Sequence, residues 1–424
     1  MKNSLASKLL VMVFLVSSCS PSLTSSSQNN QDTKVNNTVK ENNIKISSAD
    51  LKKVSDSGVS IANNKFGIKM FNNLLSKDKN KNVFISPLSI STALAMTYNG
   101  ANGKTKEDMA KVLEISGIKP DDFNKSYKIM KDFFTSKDND LTLLTANSLW
   151  LRKGENLKKE FVSNIDSFFD GKVTELDFAD KNAPKTINDW VSEKTQDKVK
   201  DLIKNIDPSV FLYLINAVYF KGIWEKQFDK ASTRDNAFMN ADGIEKDVKT
   251  MFKSDDKFDL YQSDTFSAIK LYYSKDKKAY MTVFLPEKSS NLTSFYKNLD
   301  LKLLDDVNSK MENKSVNLGL PKFKIEYEKQ LNETLKELGM ESAFSGADFS
   351  NLSSGPGSIS EVKHKTFVDV NEEGTEAAAA TSVAITKSAI ISNRFVVDRP
   401  FFFTITEANS NMILFMGSIT DIQQ

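Results

Sequence analysis

The sequence predicts an α+β domain, because helix-like and strand-like segments both occur and do not alternate regularly. Between residues 66 and 75 the apolar side chains recur at helical spacing, which indicates an amphipathic helix. Other stretches are β-branched or aromatic and of strand length, and several are apolar throughout, as strands covered on both faces should be. Helices and strands that mix without a βαβ rhythm are typical of the α+β class.

In the first third of the chain, the sequence predicts mainly helices. A short apolar run at residues 83–85 predicts a strand. Ser86 and Pro87 follow this run, and they supply a helix N-cap and a proline for the first helical turn. Further on, Thr105 and Asp108 have the spacing of a capping box, so we expect another helix to begin there.

Later segments supply most of the predicted strands. These lie at residues 141–150, 211–220, 280–285, 366–370 and 401–403. Helices are predicted between them at residues 161–169, 187–199 and 331–338. No internal repeat and no clear domain boundary divides residues 49–424, so we expect them to form one domain.

The N-terminus has the outline of a secretory signal. Lys2 and Lys8 precede an apolar run at residues 9–16, which is too short to span a bilayer stably. Small residues then precede Cys19, as in the lipobox at which bacteria lipidate a cysteine and cleave before it. We expect residues 1–18 to be a lipoprotein signal peptide and Cys19 to anchor the protein outside the cytoplasm, at a bacterial membrane or cell surface. An ordinary signal peptide with an incidental cysteine is the alternative.

The segment after the cysteine is polar. Residues 20–48 consist mainly of Ser, Asn, Gln, Thr and Lys, and such a composition cannot offset the entropy lost on ordering. Residues 19–48 are therefore predicted to be a lipidated, disordered tether. Because Cys19 is the only cysteine, the domain that follows forms no internal disulfide, and burial alone must stabilise it.

Composition excludes several classes of function. Fifty-seven basic and fifty-five acidic residues give a net charge of +2, so no strong field attracts nucleic acid. His364 is the only histidine, no Gly-x-Ser-x-Gly motif occurs, and a two-histidine zinc motif cannot be formed. We therefore expect no enzyme, no metal site and no cofactor, and this inventory disfavours the alternative of a hydrolytic surface lipoprotein.

An unusual run of small residues follows the strand at residues 366–370. If the run were extended, its two faces would differ: one would suit a core, and the other would suit a crowded surface. Gly374 supplies a permissive hinge before it. The run could become a central strand, although for this segment in isolation a small-residue linker or an alanine-rich helix is the favoured interpretation. The residues concerned are Glu372, Glu373, Gly374, Thr375, Glu376, Ala377, Ala378, Ala379 and Ala380.

Other motifs accompany this segment in a fixed chain order. They lie at residues 82–89 (NVFISPLS), 216–222 (NAVYFKG, followed by Trp224), 397–401 (VDRPF) and 414–417 (LFMG). Together these motifs resemble the serpin family of serine protease inhibitors, and the small-residue run resembles the hinge of the serpin reactive loop. The resemblance covers nearly all of the predicted domain.

The resemblance implies a fold and positions for individual residues. It implies a large central mixed sheet with further sheets, about eight to nine helices, and an exposed reactive loop at about residues 372–398. The polar cluster called the shutter, where the central sheet opens, would contain Ser86, Ser89, Asn216 and His364. Trp224 would lie at the breach, where insertion of the loop begins.

The resemblance also implies a mechanism. A protease would cleave the loop, form an acyl-enzyme and be trapped when the cleaved loop inserts into the sheet. The family's spacing places the acylated residue at Ser388 or Ala389, and Lys387 precedes them. Small residues suit elastase-like or subtilisin-like proteases, whereas Lys387 suits trypsin-like ones. We expect cleavage after Lys387 or Ser388, by a serine or cysteine endopeptidase, and a monomeric inhibitor.

A non-inhibitory serpin that acts as a surface binding or carrier protein is the competing interpretation. Such members tend to carry bulky, charged or proline residues in the hinge. The alanines at residues 377–380 favour inhibition instead, since small side chains pass between strands without large rearrangement.

Overall fold

The computed structural model describes residues 46–135, 140–375 and 393–422. Within these ranges two large sheets and a set of helices pack together. The helices are α1 (Ser48–Asp56), α2 (Val59–Lys77), α3 (Pro87–Gly100), α4 (Gly103–Val112), α5 (Pro120–Thr135), α6 (Lys159–Phe168), α7 (Ala183–Lys194), α8 (Leu292–Tyr296), α9 (Leu301–Lys310), α10 (Asn332–Leu335) and α11 (Glu341–Phe344). A π-turn at Lys336–Met340 joins α10 to α11, so these two form one interrupted helix.

Fifteen strands occur in the described ranges, and together with the helices they confirm the α+β class. The strands are β1 (Val83–Ile85), β2 (Leu141–Arg152), β3 (Lys172–Leu176), β4 (Leu212–Ile223), β5 (Arg234–Met239), β6 (Glu245–Gln262), β7 (Phe266–Tyr273), β8 (Ala279–Pro286), β9 (Glu312–Pro321), β10 (Phe323–Gln330), β11 (Ile359–Asn371), β12 (Gly374–Thr375), β13 (Asn393–Val396), β14 (Phe401–Glu407) and β15 (Ile413–Ile419).

The six-stranded sheet is mixed, and it contains the candidate site. Its strand order is β10-β11-β12-β4-β2-β3. β11 pairs with β4 in parallel, as β2 does with β3, whereas β10 with β11 and β2 with β4 are antiparallel. The two-residue strand β12 lies between β11 and β4 at one end only.

The second sheet has nine strands and follows the path β1-β15-β14-β8-β7-β6-β9-β13, with β5 paired to β6. Its longest strand, β6, bridges two regions: its first part pairs with β5 and β9, and its last part pairs with β7 as well. The register between β6 and β9 shifts between Lys253 and Asp256, and such an irregularity bends a strand.

Helix α3 lies between the two sheets. It contacts β15 of the nine-stranded sheet as well as β2 and β4 of the six-stranded sheet, and it is buried on nearly all sides. Helix α7 covers the opposite face of β2 and β4 through a separate apolar cluster. We call the face towards α3 the inner face and the face towards α7 the outer face. No helix in the described ranges combines the length and apolar character needed to span a membrane.

Most of the predicted elements are present, with corrected ends. Ser86 caps α3 as expected, since its side chain accepts the N–H of Ser89. The predicted cap at Thr105 is wrong, because α4 has already begun at Gly103. Helix α7 ends before the predicted residue 199, because Gln196 and Asp197 adopt positive φ, a backbone conformation that a right-handed helix does not contain.

Candidate functional site

The central feature of the six-stranded sheet is the direct pairing of β4 with β11, which we call the seam. The pairing runs from Leu212 and Ile359 to Tyr219 and Phe367. Beyond these last two residues the strands part, and β12 lies between them. The two strands are paired directly at one end and separated at the other. They therefore form a wedge-shaped gap at one end of the sheet, which we call the wedge.

Two polar side chains face each other across the seam on its inner face. His364 of β11 and Asn216 of β4 are register partners, and His364 Nδ1 is hydrogen bonded to Asn216 Oδ1. The Ser86 backbone N–H donates to His364 Nε2 at 3.4 Å. Because Nε2 accepts a hydrogen bond, the ring proton belongs on Nδ1, which therefore donates to the amide oxygen of Asn216.

The amide nitrogen of Asn216 extends this cluster to two further elements. It lies 2.9 Å from the Ser89 carbonyl oxygen and 2.5 Å from Ser89 Oγ, both in α3. It also donates to Asn147 Oδ1 in β2. Ser86 Oγ in turn donates to the Leu414 carbonyl oxygen of β15 at 2.7 Å. The cluster therefore connects three strands of one sheet, one strand of the other and the helix between them.

Burial controls the charge of the histidine in this cluster. His364 has no exposed surface, and burial lowers its pKa to about 3, since removal from water disfavours the charged form. At neutral pH the ring is therefore neutral, as its acceptor role towards Ser86 requires.

At the open end of the seam, Trp224 binds the chain that follows β11. Its backbone N–H donates to the Glu373 carbonyl oxygen, and its indole N–H donates to the Asn371 carbonyl oxygen, both at 3.0 Å. The indole ring stacks on Tyr273 with centroids 4.3 Å apart and an interplanar angle of 13°. Trp224 thereby fixes the backbone immediately before β12.

The two residues of β12 are enclosed at this end. Thr375 has no exposed surface, and its hydroxyl is 2.9 Å from the hydroxyl of Tyr273. Gly374 approaches β4 so closely that a Cβ would lie 2.0 Å from the Gly222 carbonyl oxygen. Only glycine fits at position 374 in this arrangement.

Two glutamates before β12 are held by lysines. Glu372 pairs with Lys322 at 2.9 Å and accepts a hydrogen bond from Thr233 at 2.8 Å. Burial disfavours the charged form of Glu372, but the hydrogen bonds from Lys322 and Thr233 outweigh burial and keep its pKa below the usual range. Glu373 pairs with Lys230 at 2.6 Å. The chain entering the wedge is thus fixed by charge as well as by backbone bonds.

The predicted site residues therefore form two groups. Ser86, Ser89, Asn216 and His364 lie together at the middle of the seam. Trp224 binds the chain at Asn371 and Glu373, in the same segment as Glu372, Gly374 and Thr375. Glu376, Ala377, Ala378, Ala379, Ala380, Lys387, Ser388, Ala389 and Cys19 lie outside the described residues. In the described part of the chain no group of three His, Cys, Asp or Glu side chains is arranged to hold a metal ion.

Sequence reasoning missed several partners in both groups. Asn147 had a local signal, namely an amide within an otherwise apolar strand run. Tyr273, Lys322 and Lys230 had none, because they come from elements distant in the sequence and meet the hinge only in the folded chain.

Comparison with known proteins identifies the family. A sequence model of the family described as "Serpin (serine protease inhibitor)" matches residues 61–422. The chain belongs to the serpin family. This assignment confirms the serpin fold that the motifs implied, and serpins are in general protease inhibitors and not enzymes.

The similarity extends over most of the chain. An uncharacterized serpin-like protein of Methanosarcina mazei is 36% identical over 394 residues, which cover 90% of each chain. The native structure of tengpin, a thermophilic serpin, is 33% identical with a TM-score of 0.78, over 86% of this chain and 94% of tengpin. Human thyroxine-binding globulin is 26% identical with a TM-score of 0.81, over 88% of this chain and 100% of the globulin.

Proposed function

We propose that this serpin is a suicide-substrate inhibitor of serine endopeptidases, or of cysteine endopeptidases, which also form acyl-enzymes. The observation that carries the proposal is the position of Gly374 and Thr375 between β4 and β11. A strand that continued from Thr375 would have a ladder partner on each side. The resting fold therefore holds the first two residues of an added strand, and the seam occupies the place of the rest.

The pairing of β12 defines the register of such a strand. Thr375 is opposite Gly222 of β4 and Val370 of β11. Each step of one residue along the loop would move its partner back by one residue in β4 and by one residue in β11. Side chains opposite each other in a sheet share a face, so odd-numbered loop residues would face inwards with Thr375.

This register brings the inserted strand to the polar cluster. Thr381 would stand between Asn216 and His364 on the inner face. The bond that joins these two side chains in the resting fold would break, and the threonine hydroxyl, which can donate and accept, could bond with either of them. Parting of the two strands therefore need not leave a buried polar group without a partner.

Insertion would be strongly favourable once the loop is cut. About ten new backbone hydrogen bonds, each worth roughly 0.5–1.5 kcal/mol net, give a gain of about 5–15 kcal/mol before any apolar burial. A protease joined to the loop as an acyl-enzyme would be carried roughly 45 Å, the length of about fourteen extended residues. Inhibition is then a competition between insertion and hydrolysis of the ester.

The residue immediately before the cut determines which class of protease can cleave the loop. Cleavage after Lys387 suits trypsin-like proteases, whereas cleavage after Ser388 or Ala389 suits elastase-like or subtilisin-like proteases. We place the cut after Lys387 or Ser388, because Ser388 has the family spacing counted from the hinge, and Lys387 immediately before it has a side chain that trypsin-like enzymes accept.

The test is covalent capture. The purified protein is mixed with trypsin, pancreatic elastase and subtilisin, and products are separated on denaturing gels. A higher-mass complex is expected, with mass spectrometry locating the cut between residues 386 and 390. The same protease with its catalytic serine blocked beforehand is the control and should give no complex. Clean cleavage without complex, across a wider set of proteases, would contradict inhibition and favour a binding or carrier role.

We also propose that a lipid on Cys19 holds the inhibitor outside the cytoplasm, at a bacterial membrane or cell surface. The support is the sequence of residues 1–19, which lie outside the described residues. Labelling cells with radioactive palmitate should mark the wild-type protein and place it in the membrane fraction. A Cys19→Ser variant should lose both properties, and an unlabelled wild-type protein would contradict the proposal.

A further inference from the structure

The outer face of the seam carries an aromatic pair that is separate from the polar cluster. Tyr219 and Phe367 are the last residues that β4 and β11 pair directly before the strands part. Their ring centroids are 6.0 Å apart with an interplanar angle of 31°. The residues are only 3% and 9% exposed. The two rings therefore cover the seam on the outer face, opposite the histidine, at the narrow end of the wedge.

Two lysines lie over these rings. Lys198 Nζ is 5.6 Å from the centroid of the Tyr219 ring, and Lys324 Nζ is 4.9 Å from the centroid of the Phe367 ring. An ammonium group within about 6 Å of a ring centroid is attracted to its face. Lys324 belongs to β10, and Lys198 belongs to the connection between α7 and β4. The four side chains thus connect three strands and the covering segment.

The connection that carries Lys198 is itself held rigidly. The buried hydroxyl of Thr195 donates to the Val191 carbonyl oxygen at 2.8 Å and accepts the N–H of Val199 at 3.1 Å. Asn188 of α7 exchanges two hydrogen bonds with the backbone of Ile203, at 2.7 and 2.8 Å. The ammonium group of Lys198 therefore approaches the Tyr219 ring from a fixed support.

We propose that these four side chains, Tyr219, Phe367, Lys198 and Lys324, form an outer latch that limits the rate at which a strand enters the seam. The inference rests on the proposed insertion mechanism and names the contacts that resist it. In the register defined by β12, Ala378 would come between Tyr219 and Phe367. To admit it, β4 and β11 must move from one strand spacing to two, from about 4.8 to about 9.6 Å.

That movement separates the rings and withdraws Tyr219 from Lys198. Because the latch lies at the narrow end of the wedge, it is among the first contacts of the seam to break. The position also accounts for the size of the incoming residue: a side chain larger than that of Ala378 would have to pass between two rings and under a covering segment. The latch thus opposes entry on the outer face, as the His364–Asn216 bond does on the inner face.

The test measures strand entry without a protease. A synthetic peptide with the sequence of residues 376–386 is fluorescently labelled and incubated with the purified protein, and the bound fraction is followed on native gels. Phe367→Val removes one ring and keeps a strand-forming residue. Loss of an aromatic pair should accelerate peptide entry about 3- to 10-fold. Phe367→Tyr retains the ring and should remain within about twofold of the wild type.

A matched control separates the latch from general destabilisation. Tyr261 and Phe266 form a pair of similar geometry, with centroids 5.5 Å apart and the same 31° angle, and Phe266 is 7% exposed. Their strands, β6 and β7, do not part when the seam opens. Phe266→Val should therefore lower the urea midpoint of the resting fold and leave the rate of peptide entry unchanged. If Phe367→Val does not fold, Lys198→Met should still accelerate entry about 2- to 5-fold.

The outcomes separate the latch from the inhibitory function. Entry at the wild-type rate in Phe367→Val and Lys198→Met overturns the latch, whether or not the wild type traps proteases. Equal acceleration by Phe266→Val also overturns it. Faster entry in the latch variants alone supports the latch, even if the wild type forms no protease complex, in which case only the inhibitory function fails.

Discussion

His364 and Asn216 are joined by a hydrogen bond across the only place where β4 and β11 touch directly in the described part of the chain. The bond requires the two strands to be neighbours, so it contributes to the resting fold and is lost when another strand separates them. The same contact therefore stabilises the native state and opposes the proposed mechanism. The first two predictions follow from this relationship.

Replacing His364 by alanine should destabilise the resting fold. The substitution leaves Asn216 Oδ1 and the Ser86 N–H without their partners, and each buried polar group left unpaired costs about 1–3 kcal/mol. The midpoint of urea unfolding should fall accordingly. Lys363→Ala is the matched control, because Lys363 precedes the histidine on the other face, where it pairs with the partly exposed Glu361. It should change the free energy of unfolding by less than His364→Ala does, because it leaves no fully buried polar group unpaired, and an equal effect of both substitutions would contradict the prediction.

The stability of the fold should decrease as the pH falls below about 6.5. Burial lowers the pKa of His364 to about 3 in the folded chain, whereas the unfolded chain has the ordinary value near 6.5. Between these values only the unfolded state binds the proton, so its protonation favours unfolding. The slope should reach about 1.4 kcal/mol per pH unit. Urea unfolding at pH 7.5, 6.5, 5.5 and 5.0 measures it.

His364→Gln provides the control for this pH dependence. His364 is the only histidine in the chain, so the variant should lose the slope between pH 6.5 and 5.0. Aspartates and glutamates titrate mainly below this window, since their ordinary pKa values lie near 4. A slope of unchanged size in the variant would assign the pH dependence to another group.

Much of this arrangement could be predicted from the sequence, because part of it depends on local sequence patterns. The strand at residues 83–85 followed by Ser86 and Pro87 predicts β1 and the start of α3 correctly, because caps and apolar runs act over a few residues. The resemblance to serpins also places Asn216 and His364 together in one polar cluster. The prediction of β1 and α3 depends on information within a few residues, whereas that of the cluster depends on the family resemblance.

What the sequence does not reveal are contacts between distant elements. Lys322 and Lys230 are ordinary surface lysines by composition, and nothing near them indicates that they pair with Glu372 and Glu373. The stack of Tyr219 on Phe367 depends equally on register, which no single segment encodes. Long-range pairing is set by the whole sheet, so it could not be derived strand by strand.

The two lysines at the hinge should differ in importance. Lys322→Met removes the partner of Glu372, a residue only 5% exposed, and should destabilise the fold by about 1–3 kcal/mol, because a largely buried carboxylate loses its charged partner. Lys230→Met is the matched control. Its partner Glu373 is as buried as Glu372, but the Lys230 side chain is 59% exposed, against 38% for Lys322. Water therefore screens the Lys230 charge more strongly, and the loss of Lys230 should cost less than the loss of Lys322. Thermal unfolding of both variants tests the order, and a larger effect at Lys230 would be inconsistent with it.

Replacing Thr375 by arginine should convert the inhibitor into a substrate. Thr375 is fully buried and hydrogen bonded to Tyr273. In the resting fold only two of the described loop residues are paired at this point, so an arginine at position 375 should leave the sheet. Insertion would then have to bring the guanidinium group between β4 and β11 without a partner, at a cost of several kcal/mol. Insertion should slow by at least about tenfold, since each 1.4 kcal/mol is a factor of ten. Hydrolysis of the acyl-enzyme then wins, and denaturing gels should show cleaved inhibitor and free protease.

Thr375→Ser is the control for this change, because it retains the hydroxyl that faces Tyr273 and is smaller than threonine. It should trap protease with nearly the wild-type stoichiometry, because the buried hydrogen bond is kept and no charge enters the sheet. The comparison isolates size and charge at position 375 from the presence of a polar group. Covalent trapping by Thr375→Arg at the wild-type level would mean that burial of position 375 does not limit insertion, and the proposed hinge would then have to begin further along the loop.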